Sequence, residues 1–155
     1  MRVGIGYDIH PFDEARPLVL GGIRIEGSPG LRGYSDADVL LHAVIDALLG
    51  AAGLDDIGRH FPPGDPAYRD IDSAELLRRT RELLEEAGHS IGNVDATVIA
   101  EAPKLAPLIP SMRKAIAAAL AIDESRVSVK ATTHEGMGAI GRGEGIAAMA
   151  VALIE

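Results

Sequence analysis

The sequence predicts an α+β fold, with helices gathered on one face of a mixed sheet. Two observations lead there: apolar runs of strand length recur at both ends and in the middle of the chain, and three longer helical patterns lie between them. Strands are expected at Arg2–His10, then at Pro17–Leu20 and Ile23–Ile25 joined by the turn Gly21–Gly22. Further strands are expected at Asn93–Ala100, Val127–Thr132 and Gly145–Ile154. The first helix starts at Asp36 or Asp38, runs to Leu49 and ends at Gly50 or Gly53. The second covers Ser73–Ala87, opened by Asp72 with Glu75 three residues on, and closed by Gly88. Leu76, Leu77, Leu83, Leu84 and Ala87 give it one apolar face. The third spans roughly Ile109–Ala121, with Pro110 in its first turn. Between the first two helices, Gly53–Asp72 carries three prolines, and a connection of that length is either functional or mobile.

At 155 residues the chain is expected to form one domain, residues 1–155. A net charge of −8 argues against a nucleic-acid partner, which demands a basic face, so an anionic substrate needs local devices: a metal, a few cations, a helix N-terminus. The absence of cysteine removes disulfides and thiolate metal sites. Met1–Arg2–Val3–Gly4 lacks the apolar run of a signal peptide, and no stretch reaches membrane-spanning length. A soluble, cytoplasmic protein with no membrane partner is expected. The run Ile146–Ile154 is apolar on both faces, so helices cover one face and the other is covered either by a neighbouring subunit or within the chain.

Asp8 and His10 are two apart in an extended stretch and therefore share a face, while His42 comes from the first helix. Two imidazoles and a carboxylate suit zinc better than calcium or magnesium, and three protein ligands leave a position for substrate. Asp38, His42 and Asp46 recur every four residues on one helix face, so Asp46 or Asp38 can orient the His42 ring. Gly33–Tyr34–Ser35–Asp36 leads into that helix, where Ser35 can receive a phosphate or act as a plain N-cap. Lys104, after Ala102–Pro103, can meet a diphosphate, and Lys130–Glu135 groups hydroxyls with a carboxylate, Glu135, suited to a harder ion such as magnesium. Gly141–Arg142–Gly143–Glu144–Gly145 presents Arg142 as a fork for phosphate or as a partner in a salt bridge between symmetry-related copies.

In this order and spacing these segments resemble the 2-C-methyl-D-erythritol 2,4-cyclodiphosphate synthase family. The resemblance rests on Asp8–Ile9–His10, Ser35–Asp38 through His42, Asp56–Ile57–Gly58, Phe61–Pro62, Asp65–Pro66, Asn93–Asp95, Ala102–Lys104, Lys130–Thr133, Glu135 and Gly141–Gly145. It covers nearly the whole chain and implies a four- to five-stranded sheet with three helices in a ferredoxin-like layering. It further implies a homotrimer whose sheets face the threefold axis, with active sites between subunits and an axial cavity for an isoprenoid diphosphate. One Zn2+ per subunit on Asp8, His10 and His42 is implied, with Mg2+ or Mn2+ on Glu135 and the substrate diphosphate. Tyr34, Ser35, Asp56, Ile57, Gly58, Phe61, Asp65 and Arg142 would hold the substrate. Ala100, Pro103, Lys104, Leu105, Ala106, Ala131, Thr132 and Thr133 would hold its cytidine diphosphate part, and Thr133, Tyr34 and Asp56 are implied as catalytic.

The implied reaction turns 4-diphosphocytidyl-2-C-methyl-D-erythritol 2-phosphate into the cyclic diphosphate and CMP, a phosphorus–oxygen lyase step of non-mevalonate isoprenoid synthesis. Two alternatives stand beside it: a zinc-dependent nucleoside-diphosphate hydrolase, and a non-catalytic trimeric protein that binds isoprenoid diphosphates. The chain departs from the family pattern at Tyr34, where histidine is usual, and at Pro63–Gly64, where Asp-Thr is usual. Ala139 replaces a common phenylalanine, and Met149 stands where a relative has an acidic residue.

Overall fold

A computed structural model describes all 155 residues, Met1–Glu155. Five strands, β1 (Arg2–Leu20), β2 (Ile23–Leu31), β3 (Ile91–Ile99), β4 (Val127–Thr132) and β5 (Gly145–Ile154), form one sheet in the order β2-β1-β5-β3-β4. Only β3 and β4 run parallel. The helices are α1 (Val39–Ala52), α2 (Ile57–His60), α3 (Ser73–Glu86), α4 (Ile109–Leu120) and α5 (Gly138–Gly141), with 3-10 turns at Pro66–Tyr68 and Glu124–Arg126. No helix is long and apolar enough to cross a membrane.

The two strands expected at Arg2–His10 and Pro17–Leu20 are a single one. Residues Arg2–Pro11 of β1 pair with β5, whereas Phe12–Leu20 pair with β2, with register shifts on either side of Pro17. Proline lacks the ladder donor, so Pro17 sits where the pairing is irregular. The strand β2 likewise runs on through Gly27, Ser28, Pro29 and Gly30, a stretch that reads as turn from composition alone. The hairpin between them turns at Gly21 and Gly22, with φ of 64° and 75°, the positive pair that two-residue hairpins favour.

Strand alternation decides which side of β1 does what. Gly4, Gly6, Asp8 and His10 face α1, while Val3, Ile5, Tyr7 and Ile9 face outward and remain exposed. A Cβ on Gly4 would lie 2.0 Å from the Ala47 carbonyl oxygen, so the glycines let α1 approach the strand closely. That helix is buried nearly all round, against β1 and β5 on one side and α3 on another. Its core spreads through 38 buried residues, among them Leu18, Val44, Leu48, Leu77, Val98, Ile116 and Ile154. The helix α3 packs against α1 and α4, and α4 against β4, so the helical layer is itself two deep over part of the sheet.

On β5 the residues Ile146, Ala148, Ala150, Ala152 and Ile154 are buried on the helix face. On the opposite face Ala147 is covered within the chain by Ile99 of β3 and Ile140 of the short helix α5, whereas Met149 and Val151 are exposed. The α+β class and the mixed five-stranded sheet agree with the sequence-based expectation; the two short helices α2 and α5 do not appear in it.

A candidate metal centre and a separate groove

Alternation on β1 sends Asp8 and His10 toward α1, and the close approach at Gly4 and Gly6 brings His42 down onto them. Asp8 Oδ2 lies 2.9 Å from His10 Nε2 and 2.9 Å from His42 Nδ1, and the two ring nitrogens are 3.3 Å apart. Around a tetrahedral ion with bonds of about 2.0–2.1 Å, neighbouring ligand atoms lie about 3.3 Å apart, so the three atoms fit three corners of such a polyhedron. The remaining ring nitrogen of His10 donates to the Arg32 carbonyl oxygen at 2.7 Å, which orients the ring so that Nε2 faces the other two ligands and, once deprotonated, can take a metal. No other cluster of three such side chains occurs in the chain.

Burial opposes a charge on Asp8, yet the hydrogen bonds and charges of His10 and His42 hold its carboxyl well below the usual carboxylate range. Burial likewise opposes a charge on His10, but the Asp8 carboxylate prevails and raises it. The cradle is built for positive charge.

These ligands sit in a cleft of about 240 Å³, lined beyond them by Tyr34, Ser35, Asp46, Ile57, Gly58 and Phe61. Of the expected substrate residues, Tyr34, Ser35, Ile57, Gly58 and Phe61 line it. Asp56 and Asp65 do not line it; they cap short helical turns, accepting from the amides of Arg59 and Ala67, each at 2.9 Å. The Tyr34 hydroxyl donates to the Asp65 carbonyl oxygen at 3.0 Å, and the Arg69 guanidinium lies 5.8 Å from its ring centre. The phenol therefore ties the Phe61–Tyr68 segment to the cleft wall. Arg142 is elsewhere: it pairs with Glu144 of its own chain at 2.7 Å on an exposed turn. The residue expected to hold substrate phosphate thus has its Nε engaged within the chain.

Neither Asp38 nor Asp46 is hydrogen-bonded to His42, which corrects the orientation expected from their shared helix face. The Asp38 carboxylate caps α1 through the Leu41 amide and also accepts from the amides of Gly21 and Gly22, at 2.9 and 2.7 Å. Burial and the neighbouring Asp36 push it up to about 6, against those three amide donors. Asp46 accepts from the Ile57 amide at 2.8 Å; burial raises its carboxyl, helped by Asp56 and Asp8. Instead, His42 Nε2 meets two hydroxyls, Ser73 Oγ at 2.9 Å and Ser35 Oγ at 3.1 Å. Ser73 escapes sequence reasoning because it reads as the first residue of a helix; only its lack of exposure marks it as special. Arg16 escapes too. It reaches the carbonyl oxygens of Gly33 and Ser35 and so holds the loop that presents Ser35.

A second groove, of about 350 Å³, gathers Ala100, Pro103, Lys104, Ala131, Thr132 and Thr133, with Leu105 and Ala106 beside them. It forms because β3 and β4 are parallel and joined through α4, which places both C-terminal strand ends side by side. The eight expected nucleotide residues are thus brought together, and none of them lines the Asp8–His10–His42 cleft. Glu135 follows in the same loop with φ of 51°, exposed, accepting from Thr133 Oγ at 3.1 Å.

A mixed five-stranded sheet with two histidines and a carboxylate converging at the strand–helix contact defines an α+β protein with a candidate divalent-metal centre. Residues 1–155 match the YgbB family, and the chain belongs to that family. It is 58% identical, over 154 residues, to a 2-C-methyl-D-erythritol 2,4-cyclodiphosphate synthase of Symbiobacterium thermophilum, covering 99% of this chain and 98% of the relative. Its fold is similar to the bifunctional IspDF of Campylobacter jejuni, with a TM-score of 0.95 and 43% identity over 99% of this chain; the chain spans 42% of that longer protein. It is also similar to Plasmodium falciparum IspF in its CDP complex, with a TM-score of 0.85, 40% identity and coverage of 99% and 94% of the two chains.

Proposed function

We propose that this chain is a phosphorus–oxygen lyase that converts 4-diphosphocytidyl-2-C-methyl-D-erythritol 2-phosphate into 2-C-methyl-D-erythritol 2,4-cyclodiphosphate and CMP, acting in the cytoplasm as one domain. The observation that carries it is the pairing of a metal cradle with a separate nucleotide-sized groove on a chain 58% identical to a synthase of that name. The substrate has two ends that need two such sites. In a homotrimer the groove of one subunit meets the cleft of its neighbour across the boundary, a reading supported by their sharing no lining residue within one chain. The exposed Val3, Ile5, Tyr7, Ile9, Met149 and Val151 give the sheet a face that a neighbouring copy can cover, leaving an axial cavity for an isoprenoid diphosphate.

In the reaction an oxygen of the substrate's 2-phosphate forms a bond to the β-phosphorus as the bond from that phosphorus to the bridging oxygen of CMP breaks. The electron pair leaves with CMP, and no water enters. No protein nucleophile is needed, so the residues act by position and charge. Ile57, Gly58 and Phe61 wall the end of the cleft that receives the methylerythritol part. Ser35 lies beside the cradle, where its hydroxyl can meet a phosphate oxygen. Lys104, Thr132 and Thr133 offer a cation and two hydroxyls to the diphosphate of the cytidine end. Asp8, His10 and His42 would hold zinc, which supplies positive charge to polarise a phosphoryl oxygen; Glu135 would do the same for magnesium or manganese at the diphosphate. Alignment of attacker and leaving group is worth about 7–11 kcal/mol, more than the roughly 10²–10⁴-fold from a general acid.

Phosphorus NMR of the product formed from the authentic substrate tests this. Cyclic diphosphate and CMP are expected, with turnover abolished by a chelator and restored by zinc. A substrate lacking the 2-phosphate should release no CMP; release of CMP from it would establish hydrolysis instead, and retention without turnover would establish a binding protein.

A further inference from the structure

His42 can offer Nδ1 to a metal only if its proton sits on Nε2, and two hydroxyls surround Nε2 with opposite consequences. If a hydroxyl donates to Nε2, the proton is left on Nδ1, pointing at Asp8 Oδ2, and the cradle is closed to an ion. If Nε2 donates instead, Nδ1 keeps its lone pair. The choice is made by what holds each hydroxyl.

Ser73 is fully buried and its hydroxyl donates to Asp36 Oδ1; the same carboxylate accepts from the Ser73 amide at 2.9 Å and from the Asp38 amide at 3.1 Å. A carboxylate accepts only, so the single proton of Ser73 Oγ is committed to Asp36, and the hydroxyl can meet His42 Nε2 only as acceptor. The arrangement is fixed by backbone: the Asp36 amide donates to the Ile71 carbonyl oxygen, and the Asp70 amide to that of Tyr34, so the segment before α1 is laced to the segment before α3.

We propose that Asp36, acting through the Ser73 hydroxyl, holds the proton of His42 on Nε2 and thereby keeps Nδ1 open for a divalent ion. The inference rests on the metal-centre reading given above. Asp36 and Ser73 are positioning residues; neither lines the metal cleft. A second consequence concerns Ser35. Its oxygen accepts from the Ala37 amide at 3.2 Å, and because Nε2 carries a proton, the Ser35 hydroxyl hydrogen is left for an anionic oxygen in the cleft that Ser35 lines. Removing the relay would let Ser35 turn to donate to Nε2, closing the metal site and losing the anion contact together.

The test measures zinc affinity by competition with a chromophoric chelator for the wild type, Ser73→Ala, Asp36→Ala and His42→Ala, with imidazole NMR on the zinc-loaded wild type and variants. Ser73→Ala keeps helix α3 intact, because its cap is Asp72. Asp36→Ala removes the acceptor of the Ser73 proton, freeing it to turn toward the ring. Both should weaken zinc binding by about 10–100-fold, the usual effect of removing a partner of a ligating histidine. The wild type should show a slowly exchanging His42 Nε2 proton, which Ser73→Ala loses. Unchanged affinity in both folded variants overturns the relay and leaves the metal centre standing. A wild type that binds zinc no better than His42→Ala overturns both. Should either variant fail to fold, the wild-type spectrum decides: a His42 Nε2 proton exchanging as freely as in an exposed imidazole overturns the relay.

Discussion

Gly6 lies so close to Ala43 that a Cβ on the glycine would sit 2.0 Å from the Ala43 carbonyl oxygen. That contact sets the distance from β1 to α1 beside the point where His42 must reach Asp8. Gly6→Ala should push the helix off the strand, cost at least about 1–3 kcal/mol as an overpacked core does, and weaken zinc binding although it touches no ligand. Denaturant unfolding and zinc titration on the same preparation check this; an unchanged zinc affinity would show that the strand–helix spacing does not govern the cradle.

Asp38 ties the β1–β2 turn to the start of α1 through three amides. Asp38→Ala removes a helix cap and strands two turn amides near the core, so a loss of about 2–4 kcal/mol is expected. Its own burial and Asp36 set a direction with pH. Because its value is raised in the folded state to about 6, the folded protein binds more protons than the unfolded chain between the ordinary carboxylate value and that point. Asp38 therefore withdraws stability as pH rises through that window, and Asp38→Ala should flatten the pH dependence there, as read by calorimetry.

Asp8 and His10 oppose a metal with protons. The lowered Asp8 contributes to metal-free stability above its unfolded value of about 3.9, a contribution lost only as pH falls through its folded value. The raised His10 contributes below its unfolded value of about 6.5, a contribution lost as pH rises through its folded value. Zinc requires His10 unprotonated, so the rise in Tm on adding zinc should be larger at about pH 8 than at about pH 6. A zinc-induced shift independent of pH would mean that the ion binds away from these residues.

The Tyr34 hydroxyl is committed to the Asp65 carbonyl oxygen rather than turned to a reacting phosphate. Tyr34→Phe should loosen the Phe61–Tyr68 segment by about 0.5–1.5 kcal/mol and raise KM several-fold with little change in kcat. Steady-state kinetics with the authentic substrate separates the two; a fall in kcat with KM unchanged would assign the phenol to the chemistry.

How far the sequence reaches depends on the range of the interaction. Asp8 and His10 are legible because alternation along a strand is local, and the three long helices because their start signals, the caps Asp38 and Asp72 and the first-turn Pro110, are local too. The sequence shows two strands, Arg2–His10 and Pro17–Leu20, where the fold has the single β1, since nothing local in the chain says that one strand changes partners between them. The groove of Ala100–Ala106 with Ala131–Thr133 was reached through family resemblance; its physical cause, two parallel strand ends, lies in the topology. Arg142 reads as a phosphate fork because glycines flank it; the fold adds a pairing of its Nε with Glu144, two residues away.

By itself the sequence determined the α+β class, the ligand types of the cradle and the family, because periodicity, side-chain chemistry and motif order are written along the chain. Which partner orients His42 was decided only in three dimensions. Asp38 and Asp46 share its helix face, but hydrogen bonding acts over about 3 Å, and that distance was closed by Ser73, thirty-one residues away, once the segments before α1 and α3 had laced their backbones together.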